Sequence, residues 1–275
     1  MSIAKVGDIN LYYEVHGKGE PLVLIMGYTL RGGCGSELRD KLTGDYRIIV
    51  PDNRGTGRSD KPEIPYTTKM MAADVAGLLD VLGIGAANVL GYSMGGAIAQ
   101  EFALNYPDRL NSLILAATSC GGPRSVLLTA EDMALMFNPE LLNMSVEEAV
   151  RTTLPLTWDK EFVEKNPAII NRYIATRCEY PTPPQAIKSH QNALITLNTY
   201  DRLPDIKAPT LVIAGTEDRI VPHENSKILA ERIHGAELAL IENATHGVFI
   251  SDPTDNVSKT VLDFLRRHSK ARAKN

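Results

Sequence analysis

The sequence predicts a parallel α/β sheet covered by helices on both faces and interrupted once by a helical insertion. Three observations carry this. Short apolar runs without polar alternation recur at 22–26, 47–50, 88–90, 113–116 and 210–214, as strands buried on both faces require. Helical periodicity separates them, most clearly Val75, Leu78, Leu79 and Leu82 at i, i+3, i+4 and i+7. From Gly121 to Leu203 the strand rhythm stops. The pattern there turns helical, broken at Pro139, Pro155, Pro167 and the cluster Pro181-Thr182-Pro183-Pro184.

In chain order, residues 9–15 read as a strand, and Gly17-Lys18-Gly19-Glu20 turns the chain into the first buried run. A Gly-rich loop and a short helix lead to strand 47–50, after which Asp52-Asn53-Arg54-Gly55-Thr56-Gly57-Arg58-Ser59 is a loop. The Val75 stripe belongs to a helix that Gly83 terminates. Strand 88–90 feeds a helix over 94–105, and strand 113–116 leads into the insertion. Beyond it come strand 210–214, a helix, strand 237–241, and a last helix striped by Val257, Val261, Phe264 and Leu265. The expected division is a core over 1–119, a helical insertion over 120–204, and the rest of the core over 205–275.

Composition narrows the function. With 29 Lys+Arg against 33 Asp+Glu, the net charge of −4 disfavours nucleic acid as a partner. The basic run 266–274 reads as a solvated tail. Hydrophobic content of 44% with 23% charged residues excludes a mainly disordered chain. Cys34, Cys120 and Cys178 are odd in number and widely spaced, which fits neither a disulfide framework nor a zinc site. They point to a reducing, cytoplasmic setting. No secretory pattern opens the chain, and no apolar run reaches the ~18 residues of a membrane span. No metal-ligand spacing occurs, and Gly55-Thr56-Gly57 completes no dinucleotide or phosphate fingerprint. Neither metal nor cofactor is expected.

The strongest chemical signal is Gly91-Tyr92-Ser93-Met94-Gly95-Gly96, set between a buried strand and a helix. The pattern G-x-S-x-G is weak alone, but this context is that of a nucleophile elbow. A serine hydroxyl needs a base, and the base needs an acid to fix its tautomer. Of six histidines, His246 follows the last strand in Ala244-Thr245-His246-Gly247, which puts it at the carboxyl edge of a parallel sheet with Ser93. The acid should also follow a strand. Gly215-Thr216-Glu217-Asp218 does so, with Asp218 the choice and Glu217 its competitor. The order Ser93, Asp218, His246 is the one that an α/β-hydrolase sheet imposes.

These motifs, together with Met26-Gly27, the 52–59 loop and Ala208-Pro209-Thr210-Leu211-Val212-Ile213, make the chain resemble the α/β-hydrolase superfamily over its whole length. It looks most like cofactor-free bacterial esterases, enol-lactonase-like hydrolases and non-haem haloperoxidase-like proteins. The resemblance implies an oxyanion hole from the backbone N–H groups of Met94 and Tyr28. In such proteins a His-Gly pair usually precedes the second donor. Here the pair is Met26-Gly27, so a bracing histidine is lost. The loop Tyr28-Thr29-Leu30-Arg31-Gly32-Gly33-Cys34-Gly35 is rich enough in glycine to predict mobility. Arg54 and Asp52 read as bracing residues, Cys34 as a packed thiol, and Arg31 as a solvated arginine or, alternatively, a ligand for a carboxylate-bearing substrate.

The apolar side chains of the insertion either glue it to the core or line a pocket. In the second case Leu30, Tyr92, Met133, Met136, Phe137, Trp158 and Val248 are the expected lining. The reading is a serine hydrolase acting on a small or medium, largely uncharged carboxylic ester or lactone through an acyl-enzyme on Ser93. An acyltransferase, perhydrolase or C–C bond hydrolase would use the same residues, and a non-catalytic ligand-binding protein would keep only the fold.

Overall fold

The structure is a computed structural model in which residues 2–268 are described. Eight strands form one sheet: β1 (Ser2–Val6), β2 (Ile9–His16), β3 (Glu20–Ile25), β4 (Tyr46–Pro51), β5 (Ala87–Tyr92), β6 (Leu110–Ala116), β7 (Thr210–Gly215) and β8 (Glu237–Ile241). Their spatial order is β1-β2-β4-β3-β5-β6-β7-β8. The β1–β2 and β2–β4 pairs are antiparallel, and the pairs from β4 to β8 are parallel. After β3 the chain turns to one side for β4, and after β4 it crosses to the other side for β5. The loops leaving β3 and β5 therefore diverge and open a crevice at the carboxyl edge, where such sheets bind ligands.

Alternate residues of the central strands feed two cores. Val23, Ile25, Val89, Leu113 and Val212 pack with α2 (Thr68–Val81), α3 (Met94–Asn105) and α9 (Glu224–Arg232). Leu22, Leu24, Leu90, Ile114 and Ile213 pack on the other face with α1 (Ser36–Leu42) and α10 (Asn256–Arg267). The period of two along each strand decides which core a side chain joins.

Five helices lie between β6 and β7: α4 (Ala130–Met136), α5 (Val146–Thr157), α6 (Lys160–Lys165), α7 (Pro167–Glu179) and α8 (Pro184–Ile195). Pro167 and Pro184 each sit in a first turn, where the missing N–H costs nothing, so these prolines start helices. No described helix is long and apolar enough to cross a membrane.

Three expectations need correction. The N-terminal strand β1 was not anticipated, because Ile3 stands on its exposed face and Ala4 on its buried one, which hides the alternation. The basic run is not wholly a tail: Arg266 and Arg267 end α10 and pair with Asp45 and Glu237, while residues 269–274 lie outside the described residues. The Gly-rich loop after β3 is packed and forms a 3₁₀ turn at Gly32–Gly35. A Cβ at Gly32 would come within 2.7 Å of Val50, and one at Gly35 within 2.9 Å of the Met26 sulfur. Glycine serves close approach there.

Candidate active site

The site is built where β5 turns into α3. Ser93 has φ 56° and ψ −121°, a conformation that costs about 1–3 kcal/mol for a non-glycine residue and projects its hydroxyl clear of the turn. The glycines around it make the turn possible. A Cβ at Gly91 would strike the Gly95 carbonyl, and one at Gly95 the Ile25 carbonyl. Gly96 faces Thr118 as closely, at 2.5 Å. Gly27, at the end of the neighbouring loop, would bring a Cβ to 2.9 Å from the Ser93 Cβ. Without a side chain at 27, the β3 loop lies directly against the serine.

His246 and Asp218 arrive from the ends of β8 and β7. The His246 Nδ1–H donates to Asp218 Oδ2 at 2.7 Å, and His246 Nε2 lies 3.1 Å from Ser93 Oγ. A carboxylate only accepts, so Nδ1 carries the proton and the Nε2 lone pair faces the serine hydroxyl. The other oxygen of Asp218 accepts from the N–H groups of Ile220 and Val221, both at 2.9 Å. Asp218 and His246 are 5% and 4% exposed, whereas the competitor Glu217 is exposed. The geometry brings Asp218, not Glu217, to the histidine. Such a relay can take a proton from a hydroxyl and hold the resulting imidazolium beside a buried carboxylate.

Two backbone N–H groups beside the serine have no described acceptor in a helix or turn. Met94 is the first residue of α3, so its N–H has no acceptor within the helix. The N–H of Tyr28 has none among the described turn and loop bonds. The loop holding Tyr28 is braced from several sides. Asn53 Nδ2 donates to the Met26 carbonyl at 2.9 Å, and Asp52 accepts from Gly32 N at 2.7 Å and Arg58 N at 3.0 Å. Arg54 is tied to Asp74 by two bonds of 2.6 Å and to Asp8. Bracing is thus what Asp52 and Arg54 do.

A histidine braces this loop after all, from an unforeseen place. His190 of α8 accepts from the Thr29 N–H through Nδ1 at 3.3 Å, and its Nε2–H donates to the Arg54 carbonyl at 2.8 Å. Both ring nitrogens are committed in the neutral form, and burial pulls its pKa down to about 4. Thr29, the residue it holds, has φ 55°. Sequence reasoning passed over His190 because nothing local marks a histidine that acts across 161 residues.

Above the serine lies a cavity of about 670 Å³, walled by α4, α5, α7, α8 and the β3 loop. Of the expected lining, Leu30, Tyr92, Met136 and Phe137 are on its wall; Tyr28 joins them, and Ser93 and His246 lie at its floor. Burial pushes the Tyr28 phenol up to about 12, and its oxygen accepts from Gln191 at 3.0 Å, so it stays neutral.

Met133, Trp158 and Val248 do not line the cavity. The wall takes the C-terminal end of α4 and the turn after it, and Met133 is one turn too early. Val248 packs against the core, and Ile250 takes the wall position. Trp158, 2% exposed, stacks on Phe162 at 5.7 Å and meets Tyr173 edge-on at 5.0 Å. Its indole lies so close to Gly247 that a Cβ there would overlap it, which makes Trp158 a back wall for the His246 turn. Arg31 is neither solvated nor on the cavity: it pairs with Glu179, donates to the Thr176 carbonyl at 3.0 Å and ties the loop to α7. Cys34 is buried, and burial pushes its thiol up, as a packed cysteine requires. Among the described residues, no group of three or more His, Cys, Asp or Glu side chains could hold a metal.

Known proteins agree with this architecture. A model of the alpha/beta hydrolase fold family matches residues 21–253. A protein of Azorhizobium caulinodans named "Putative carbamate hydrolase RutD" is 30% identical over 96% of this chain and 98% of its own length. Among solved structures, the enol-lactonase from Burkholderia xenovorans LB400 superposes with a TM-score of 0.83, at 26% identity, covering 96% of this chain and 100% of the other. A thermophilic esterase from Thermogutta terrifontis gives 0.83 at 27% identity, with 98% and 99% covered. The family match takes in every parallel strand and all the loops at the carboxyl edge: the chain belongs to the α/β-hydrolase fold family and is a hydrolase.

Proposed function

We propose that the protein is a serine hydrolase cleaving a small or medium carboxylic ester or lactone through an acyl-enzyme on Ser93. The observation that carries this is the hydrogen-bond chain Ser93–His246–Asp218 at the floor of the 670 Å³ cavity. The Ser93 proton passes to His246 Nε2 as Oγ attacks the carbonyl carbon. The N–H groups of Tyr28 and Met94 hold the oxyanion, an interaction worth about 3 kcal/mol per donor at the transition state. Asp218 stays ionised and stabilises the imidazolium. His246 then protonates the leaving alkoxide, which for a lactone remains tethered to the acyl group. Water, deprotonated by His246, attacks the acyl-enzyme and releases the acid.

Residues 120–204 act in this reading as a cap that shapes the acyl site, on a core formed by 1–119 and 205–275. We assign the protein to the cytoplasm, in line with its three free cysteines. The name of the Azorhizobium relative favours a second reading, a carbamate as the acyl donor, which the same residues would process. The test is covalent labelling by a fluorophosphonate, followed by turnover of aryl esters, lactones and carbamates of graded chain length. Labelling at Ser93 with ester or lactone turnover is the expected result. Labelling elsewhere removes the proposal, and turnover of carbamates alone replaces its substrate.

A further inference from the structure

The cavity wall holds an arginine with no anion to face. Arg177 of α7 donates from Nη1 to the Tyr173 hydroxyl at 3.0 Å and from Nη2 to Thr29 Oγ1 at 2.9 Å. Both acceptors are neutral, and a guanidinium carries five N–H donors. No Asp or Glu is among the described residues that line the cavity, and Arg177 makes no ion pair with any described carboxylate. Glu179 lies only two residues on, but it serves Arg31 and Arg58. The second cation on the wall, Lys188 of α8, is exposed and likewise has no described carboxylate partner. The remaining lining is mostly apolar, so it screens little of this positive charge.

A fixed cation with spare donors in a mostly apolar cavity is costly without a counter-charge. The structure keeps this one in place by packing it against Tyr173 and Thr29. Thr29 directly follows Tyr28, the oxyanion donor in the reading above, and the guanidinium shares with Ser93 the lining of one cavity. We infer that Arg177 is a specificity-determining residue that binds a carboxylate of the substrate, which is therefore an ester or lactone whose acyl part ends in a free carboxylate a few bonds from the scissile carbonyl. The planar fork of arginine suits a carboxylate in two-point contact, and Lys188 adds long-range attraction at the entrance. The substrate is then anionic, in place of the largely uncharged acyl group that the apolar residues of the insertion had suggested.

The inference rests on the serine-hydrolase reading for the word substrate, but the binding of a carboxylate does not. The experiment compares mono-aryl esters of four- to six-carbon dicarboxylic acids with the same aryl esters methylated at the far carboxylate. For the wild-type protein, kcat/KM is expected to favour the free acid at least tenfold at one chain length. Arg177→Met should lower that ratio about ten- to hundredfold, mainly through KM, and Arg177→Lys, which keeps the charge without the fork, should fall between. In parallel, calorimetry measures glutarate binding to Ser93→Ala with and without Arg177→Met, where at least a tenfold weakening is expected. A wild-type ratio near one, or glutarate binding that Arg177→Met leaves unchanged, overturns the inference. If neither ester is turned over while glutarate binding still depends on Arg177, the ester-and-lactone reading fails and the anion site stands. If Arg177→Met does not fold, the wild-type ratio and the Arg177→Lys variant decide.

Discussion

The sheet edge and the helices above it build one site by opposite means. At the edge, position is set by backbone: Ser93 at positive φ, glycines at 27, 91 and 95 that leave no room for a Cβ, and the Met94 N–H that the start of α3 leaves without an acceptor in the helix. On the helices, position is set by side chains alone, such as Met136, Phe137, Arg177 and Gln191 projecting from separate segments into shared space. A backbone device tolerates almost no substitution, while a side-chain wall can be exchanged residue by residue. In the proposed reading, reaction chemistry belongs to the first region and choice of substrate to the second.

Substitutions can break that comparison, and the largest effects are expected at the edge. Ser93→Ala should abolish fluorophosphonate labelling and lower kcat/KM for esters by about 10⁶ while the melting temperature stays near wild type. Residual turnover within a hundredfold of wild type would place the attacking group elsewhere. Asp218→Asn should lower kcat by about 10⁴, because the amide favours the wrong imidazole tautomer, with KM little changed. Glu217→Gln, one residue away but exposed, should stay within twofold; a larger loss there than at Asp218 would reverse the assignment.

His190 joins the two regions, and its test is pH. Its folded pKa is depressed to about 4, so above the ordinary value of about 6.5 it is neutral in both folded and unfolded chains and its contribution to stability is complete. As pH falls from 6.5 toward 4, the unfolded chain takes up a proton that the folded one refuses. Stability should drop by about 1.4 kcal/mol per unit, approaching about 3 kcal/mol near pH 4. Below that, protonated Nδ1 confronts the Thr29 N–H and the loop after β3 loses its brace. Chemical denaturation at pH 7.5 and pH 5 should show the drop, and His190→Asn should flatten it. An equal pH slope in the variant would assign the effect to other groups.

The smallest effects are expected in the helical wall. Met136→Ala should raise KM about threefold for the longest accepted acyl chain, and Met133→Ala, one turn back, should leave the chain-length profile unchanged. The opposite ranking would redraw the wall.

The same contrast explains what could be read from the sequence. Ser93, His246 and Asp218 were legible because each follows a strand in a parallel sheet, so chain order alone sends them to one edge. The cap residues carried no such rule. Trp158 and Met136 are alike in apolar character, and only packing directs one behind His246 and the other into the cavity. Arg177 left a faint trace: it extends the buried stripe of Ile170, Tyr173 and Ile174 by one turn, a charged residue at an apolar position. His190 left none, since its partners Thr29 and Arg54 are reached only through the tertiary fold.

One contact near the serine governs how accurately the site assembles. The Tyr92 hydroxyl donates to the His246 carbonyl at 3.1 Å, and its ring rests 5.0 Å from the imidazole. Tyr92 is also the residue immediately before Ser93. The base is thus gauged directly from the strand that carries the serine, rather than through the 153 residues of chain that separate them. Small displacements of β7, β8 or the helices above need not accumulate as error in the Ser93–His246 spacing, because one rigid aromatic spacer sets it. Sub-ångström alignment of the serine and histidine is thereby set within the sheet edge itself, independently of how the helices above it pack.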